Sequence, residues 1–322
     1  MVLPLRSAPP VDLARAIRDR AKALNAVILA HYYQDGAIQD VADFVGDSLQ
    51  LARQAAATTA DVIVFCGVHF MAETAKIMSP QKQVLLPDLQ AGCSLSESAP
   101  ADAFRRFVEE RPGHTVVTYV NSSAAVKALS DYCCTSSNAC DVVRAIPADR
   151  PIIFAPDRYL GDWVAKTTGR DLVLWEGSCE VHETFSVDGL ARLRQDHPGA
   201  PVLVHPECPA AVRAYADVIG STKQLLEAVR RGDPAGTYIV VTEPGIIHQM
   251  RKVAPAATFL EAPGGSTQQG SCTNCNTCPH MRRNTLEKLW RCLDQRSPEV
   301  TLDPALAERA RLPIERMIAI GA

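Results

Sequence analysis

Apolar residues in this chain gather in short continuous runs that break off into polar side chains. Ala26-Val-Ile-Leu-Ala runs into His31-Tyr-Tyr33, Thr115-Val-Val-Thr-Tyr-Val into Asn121, and Pro201-Val-Leu-Val into His205-Pro-Glu207. An apolar run without alternation is the pattern of a strand buried on both faces, as in a parallel sheet. Each run therefore predicts a strand that carries polar groups at its carboxyl end.

The same layout recurs. A briefer strand leading into a helix start is predicted at Ala42-Asp-Phe-Val-Gly-Asp-Ser48, at Ser130-Asp-Tyr-Cys-Cys-Thr-Ser-Ser137 and at Ala216-Asp-Val-Ile-Gly-Ser-Thr222. Ser, Thr and Asp there are good N-caps. A third strand is predicted at Asp61-Val-Ile-Val-Phe-Cys66, Pro151-Ile-Ile-Phe-Ala-Pro-Asp157 and Thr237-Tyr-Ile-Val-Val-Thr-Glu243, with helices following over 70–77, 160–167 and 246–253. A fourth is predicted at Gln83-Val-Leu-Leu, Asp171-Leu-Val-Leu and Ala257-Thr-Phe-Leu. Equivalent elements are offset by about 88 and then about 86 residues, a regularity that ordinary α/β alternation does not require.

Strands alternating with helices imply parallel sheets covered on both faces. The expected fold is α/β: three homologous three-layer αβα (Rossmann-like) domains around a pseudo-threefold axis, with the site at the centre. Such units place their sites at the carboxyl ends of strands. The expected divisions are 1–111, 112–196 and 197–300, with 301–322 a C-terminal helical tail.

Composition narrows the function. The 322 residues are 47% hydrophobic, a globular proportion, and a net charge of −3 gives no basic surface for nucleic acid. No run approaches the roughly 20 apolar residues of a membrane span, and residues 1–7 are too short for a secretory signal. A soluble, cytoplasmic protein is expected. Eleven cysteines, an odd number with Cys133 and Cys134 adjacent, make a poor disulfide framework and point to metal or redox work.

A cysteine follows the fourth strand of each repeat: Cys93, Cys179, and the group Cys272-Thr-Asn-Cys275-Asn-Thr-Cys278-Pro279. Three thiolates on an axis suit a metal or a cluster with one position open, and soft thiolates select zinc, copper(I) or iron–sulfur. The third group resembles ferredoxin-type cluster binding, whereas a four-cysteine zinc site would want a second Cys-x-x-Cys pair. Cys278 is taken as the third ligand, a choice that composition alone does not make. Cys66, Cys133, Cys134, Cys140, Cys208 and Cys292 read as small buried hydrophobes.

Strand ends also supply His31, Tyr32, Tyr33, Tyr119, Asn121, His205 and Glu207, and helix starts supply Asp47, Ser48, Ser136, Ser137, Ser221 and Thr222. Converging helix N-termini and hydroxyls make a pocket for carboxylates or phosphate, although each hydroxyl is equally consistent with an ordinary cap. The His, Tyr and Glu side chains can move protons at its rim. His182, three residues after Cys179, is placed to enter the site, and Asp157 and Glu243 close third strands behind it. His69, His114, His197, His248 and His280 have no counterparts in the other repeats and read as structural or solvated.

Taken in order, Ala30-His-Tyr-Tyr-Gln34, Gly46-Asp-Ser-Leu49, Tyr119-Val-Asn-Ser-Ser-Ala-Ala-Val-Lys127, Cys134-Thr-Ser-Ser-Asn138, Cys179-Glu-Val-His-Glu183, His205-Pro-Glu207, Gly220-Ser-Thr222 and the Cys-x-x-Cys-x-x-Cys-Pro stretch resemble the quinolinate synthase (quinolinate synthetase A) family. The resemblance implies three α/β domains around a [4Fe–4S] cluster held by Cys93, Cys179 and Cys278. One iron would carry no cysteine and would be free to act as a Lewis acid. It implies condensation of iminoaspartate (iminosuccinate) with dihydroxyacetone phosphate to quinolinate, phosphate and water in de novo NAD biosynthesis. Carried over by motif, His31, Ser48, Tyr119, Asn121, Ser136, His205, Glu207, Ser221 and Thr222 contact substrate. Tyr33, His205 and Glu207 are catalytic, with Glu207 a base and Tyr33 an acid–base partner. The resemblance further implies a redox-sensitive Cys272–Cys275 pair, and an aspartate-oxidising enzyme that supplies the imine as the protein partner to consider. The residues also admit an aconitase-like cluster hydro-lyase, a redox or metal sensor, and a structural zinc protein.

Overall fold

Every predicted strand forms. The computed structural model describes residues 11–264 and 276–321, so the expected Cys272–Cys275 pairing lies outside the described residues. The first sheet holds β1 (Ala26–His31), β2 (Phe44–Gly46), β3 (Val62–Cys66) and β4 (Gln83–Leu85). The second holds β5 (Thr115–Tyr119), β6 (Tyr132–Cys134), β7 (Ile152–Ala155) and β8 (Leu172–Leu174). The third holds β9 (Val202–Val204), β10 (Val218–Ile219), β11 (Thr237–Val241) and β12 (Thr258–Glu261). All pairings within them are parallel, in the orders β2-β1-β3-β4, β6-β5-β7-β8 and β10-β9-β11-β12.

The three sheets share a register and a device that sets it. Leu29 lies opposite Phe44, Val117 opposite Tyr132, and Leu203 opposite Val218. In each sheet an aspartate just ahead of the short second strand accepts a hydrogen bond from the backbone of the first, fifteen residues back. Asp43 takes Ile28 N–H at 2.7 Å, Asp131 takes Val116 N–H at 2.8 Å, and Asp217 takes Val202 N–H at 2.9 Å. A slip of one residue would exchange side chains between two differently packed apolar layers, so pinning the register protects the core.

Helix starts differ among the repeats. Asp47 caps the helix Ser48–Ala57 and Ser221 caps Thr222–Arg231, each completed by a glutamine (Gln50, Gln224) that takes the cap residue's own N–H. The expected helix start at Ser136 and Ser137 is corrected: the middle helix is Ala139–Ala145, and both serines lie in the turn before it. The cause is Asn138, one methylene shorter than the glutamines. Its Oδ1 accepts from Thr135 N–H at 2.8 Å and closes the turn, while its amide donates to the Met317 and Ile320 carbonyls at 2.9 and 3.0 Å.

That second bond anchors the C-terminal helix Pro304–Ala319, which buries Ile314 and Met317 in a core shared by the first two sheets, with Leu29, Phe65, Val117 and Phe154. The helix Leu286–Gln295 packs back on the first unit, setting Leu289 and Leu293 against Ile17 of the helix Leu13–Ala23. The third sheet has its own apolar layers, around Leu203, Leu225 and Val240 on one face and Val202, Ile239 and Val241 on the other. Ion pairs join it to its neighbours. Asp162 meets Arg213 at 2.5 Å, and Asp40 meets Lys252 at 2.5 Å and His248 at 2.8 Å. Among the described residues no helix is long and apolar enough to cross a membrane.

Candidate active site

The carboxyl ends of β1, β5 and β9 present equivalent pairs, His31 with Tyr33, Tyr119 with Asn121, and His205 with Glu207. All six face one pocket. Ser48, Ser136 and Thr222 line it, as do Cys93, Cys179 and Cys278. Val68, Phe70, Met71, Val181 and Met281 supply an apolar wall that the polar motifs did not announce. A concave, mostly apolar site with a few convergent polar groups suits a small ligand. Of the strand-end and helix-start residues expected there, Tyr32 and Ser137 are absent from the wall, and so is Ser221. Its hydroxyl caps its helix and meets Ser137 Oγ at 2.7 Å, and Ser137 reaches Asp47 Oδ2 at 2.6 Å.

Glu207 is buried at the centre. The Tyr119 hydroxyl donates to Oε1 at 2.5 Å and His182 Nδ1 lies 3.0 Å from Oε2. Burial alone would raise its pKa, but the neighbouring imidazoles and these two hydrogen bonds outweigh it and hold the group below the usual glutamate range, as a carboxylate. His182 stacks on His205 with centroids 4.6 Å apart, and His31 meets Tyr33 edge-on at 4.6 Å. Burial pushes His31 and His205 down to about 3 despite the pull of Glu207, so both are neutral rings at pH 7. Burial and then the Glu207 charge push Tyr33 and Tyr119 well above the ordinary phenol value, so both keep their protons.

One group at the site was not singled out by the repeats. Thr242 directly follows β11, with its Oγ1 2.7 Å from the Tyr33 hydroxyl and 2.8 Å from His182 Nε2. It immediately precedes Glu243, and the rule that flagged the ends of first strands would have found it at the end of a third. Glu243 lines the pocket, as expected of a group closing its strand; burial pushes it up to about 7 against the pull of Arg282, 2.9 Å away. Arg282 also pairs with Asp35 and so ties the third unit to the first. Asp157 is buried outside the pocket wall, its Oδ1 accepting from Leu160 N–H at 2.7 Å. Asn121 presents a buried Oδ1 without a hydrogen-bond partner among the described residues, an acceptor on the wall.

The nine described cysteines are all free. Cys66, Cys133, Cys134, Cys208 and Cys292 are buried as expected, whereas Cys140 is half-buried. Among the described residues one group of three candidate ligand atoms falls within 4.8 Å of one another, from Cys179, His182 and Glu207. Cys93 and Cys278 share the pocket but stand outside that group.

Residues 15–319 match the family model described as Quinolinate synthetase A protein. The chain is 58% identical to a quinolinate synthase of Thermosynechococcus vestitus over 97% of its length and 96% of that protein's. It is 58% identical to one of a Synechococcus species over 97% and 96%, and 54% identical to one of a Synechocystis species over 99% of both chains.

Proposed function

The chain belongs to the quinolinate synthetase A family, and we propose that it condenses iminoaspartate with dihydroxyacetone phosphate, giving quinolinate, phosphate and water in NAD biosynthesis. The observation that carries the reading is the convergence of Tyr33, Tyr119, His182, His205 and Glu207 on one pocket that also receives three cysteines from separate repeats.

The three units stand around a pseudo-threefold axis through that pocket, a reading supported by the identical strand orders and the repeated aspartate register pins. We divide the chain at 1–111, 112–196 and 197–300, with 301–322 as the tail; the helix Leu286–Gln295 belongs by position to the third unit and by packing to the first.

The donor set fits a [4Fe–4S] cluster on Cys93, Cys179 and Cys278. A single tetrahedral ion with Zn–S bonds of about 2.3 Å would hold its sulfurs roughly 3.8 Å apart. Three cysteines that share a pocket without forming a group within 4.8 Å are spread more widely, as a multi-iron centre requires. When bound, such a cluster supplies a Lewis acid at the iron without a cysteine. Free thiols are the form kept in a reducing cytoplasm.

The protein's own groups account for binding and proton movement. Ser48, Ser136 and Thr222 offer hydroxyls to substrate carboxylates or phosphate, and Asn121 offers its acceptor to a substrate N–H or O–H. Glu207, ionised and oriented by Tyr119 and His182, is the base that removes a proton on the way to the enol and the ring. Tyr33, protonated, gives a proton to a leaving hydroxyl. Neutral His31 and His205 hydrogen-bond substrate without adding charge. The apolar wall keeps water from a hydrolysable imine.

A second reading rests on the Cys179, His182 and Glu207 group, which a single zinc ion could bridge. It is weaker, because His182 Nδ1 and Glu207 already satisfy one another at 3.0 Å. Anaerobic assay of reconstituted protein with both substrates, quinolinate followed by mass, decides between them. Quinolinate with about four irons per chain is the expected result; zinc alone, or iron without quinolinate, would overturn the proposal.

A further inference from the structure

Cys93, Cys179 and Cys278 each open a tight turn in which the cysteine's own carbonyl accepts the N–H four residues on. Cys93 takes Glu97 at 2.9 Å, Cys179 takes Glu183 at 2.9 Å, and Cys278 takes Arg282 at 3.2 Å. One turn of helix returns the chain to the same face, so the fourth residue's side chain stands beside the turn that carries the thiol. Two repeats place a glutamate there, and the third places an arginine.

The Arg282 guanidinium meets carboxylates of two different units. Its Nη2 donates to Glu243 Oε1 at 2.9 Å, and its Nη1 donates to Asp35, in the loop after β1. Glu243 is fully buried, and both of its oxygens are engaged inside the third unit. Oε1 also accepts the backbone N–H of Cys278 at 3.4 Å, and Oε2 accepts Gly245 N–H at 2.7 Å. One carboxylate oxygen thus holds the backbone of the cysteine and the arginine one turn after it. Glu183, at the matching place in the second repeat, instead pairs with Arg158 of its own unit at 2.6 Å.

A guanidinium presents its N–H groups as a rigid fork, so it can hold two carboxylates in fixed directions, whereas a lysine ammonium rides on a flexible stem. The rest of the segment is anchored independently. Asn284 Nδ2 donates to Gly67 O at 2.7 Å, and His280 Nε2 lies 3.2 Å from Glu180 Oε1. Losing Arg282 therefore loosens the Cys278 turn and leaves its flanks in place.

We propose that Arg282 is a positioning residue for the cluster site, whose guanidinium clamps the Cys278 turn between Glu243 of the third unit and Asp35 of the first. The proposal rests on the cluster reading for its effect on iron and on geometry alone for its effect on the turn. Retention of the cluster then depends on the seam between the first and third units.

The test compares reconstituted wild type with three variants. Arg282→Met keeps the stem and removes the fork, Arg282→Lys keeps the charge, and Asp35→Asn weakens only the arm to the first unit. Iron loss to a strong chelator is followed by the decay of visible absorbance. Arg282→Met is expected to lose iron about 10- to 100-fold faster than wild type, the usual effect of removing a group that orients a metal ligand, with the other two variants in between. In metal-free protein, alkylation of Cys278 by iodoacetamide, resolved by fragment mass, should quicken about 10-fold in Arg282→Met as the turn opens locally, while that of Cys140 stays near wild type. Iron loss at the wild-type rate in Arg282→Met or Asp35→Asn, or alkylation of Cys278 that quickens no more than that of Cys140, would each overturn the proposal. Should the wild type take up no iron, the cluster reading falls and alkylation alone decides on Arg282.

Discussion

The Tyr119 hydroxyl lies 2.5 Å from Glu207 Oε1, so a tyrosine at the end of β5 and a glutamate just past β9, eighty-eight residues apart, share one short hydrogen bond inside the pocket. A hydrogen bond to a carboxylate is about twice as strong as a neutral one. Here it does two things: it keeps Glu207 ionised in a buried setting, and it closes the second unit against the third.

Replacing Glu207 with Gln keeps the shape and an acceptor for Tyr119 but removes the base. Turnover is expected to fall about 10²- to 10⁴-fold, with iron content and thermal midpoint close to wild type. Normal turnover in that variant would remove Glu207 from the mechanism.

Cluster loading separates the cysteines. Cys93→Ser, Cys179→Ser and Cys278→Ser should each lose most of their iron and the visible absorbance that goes with it, and a strong iron chelator should strip the wild type of both colour and activity. Cys140→Ser, at a half-buried thiol outside the pocket wall, should retain both. Iron analysis after anaerobic reconstitution reads all four; full iron in Cys278→Ser would move the third ligand elsewhere.

Ser137 joins Asp47 and Ser221 at 2.6 and 2.7 Å, immediately behind the Ser48 and Thr222 hydroxyls. Ser137→Ala breaks both bonds and leaves Asp47 Oδ2 without its serine donor. A cost of about 1–3 kcal/mol follows for a group so stranded, a fall in thermal midpoint of several degrees. Binding of an anionic substrate should weaken as its hydroxyl contacts lose their backing. Calorimetry and KM on the same preparation check both, and an unchanged midpoint would show that the three-residue contact contributes nothing.

Acid sensitivity should arise partly at the seams of the third unit. Hydrogen bonds from Lys252 and His248 lower the Asp40 pKa below 3.8. At Asp162 burial acts upward, but Lys166 and Arg213 outweigh it and the net shift is again downward. A depressed carboxylate contributes stability that is fully present above its unfolded value of 3.8 and is lost as pH falls through the lower folded value. Asp40→Asn and Asp162→Asn should therefore lower the urea midpoint at pH 6 and converge with wild type as pH falls through the depressed folded-state values. A midpoint difference that persists at pH 2 would assign the effect to packing instead.

Much of the site could be read from the chain because it is built on local rules applied three times. The polar residues that stop each apolar run, His31 with Tyr33, Tyr119 with Asn121 and His205 with Glu207, sit at strand ends that the apolar runs themselves define, and all six face the pocket. The aspartates that pin each register, Asp43, Asp131 and Asp217, were present in the same repeats but carry no signature until the strands pair. The family motifs then pointed to Cys93, Cys179 and Cys278, which line that pocket together.

Periodicity, repeat offset and strand-end chemistry thus determined the parallel α/β units and most of the pocket residues, because each depends on neighbours within a few positions or on a constant spacing. Tertiary structure alone decided that Ser221 backs the pocket instead of lining it, that Asn138 delays the middle helix to hold the chain's last one, and that Thr242 bonds Tyr33. Tyr33 and Thr242 are 209 positions apart. A hydroxyl's partner at that distance is chosen by how the folded units dock, and docking is set by the summed packing and charge of whole faces, which no short stretch of sequence contains.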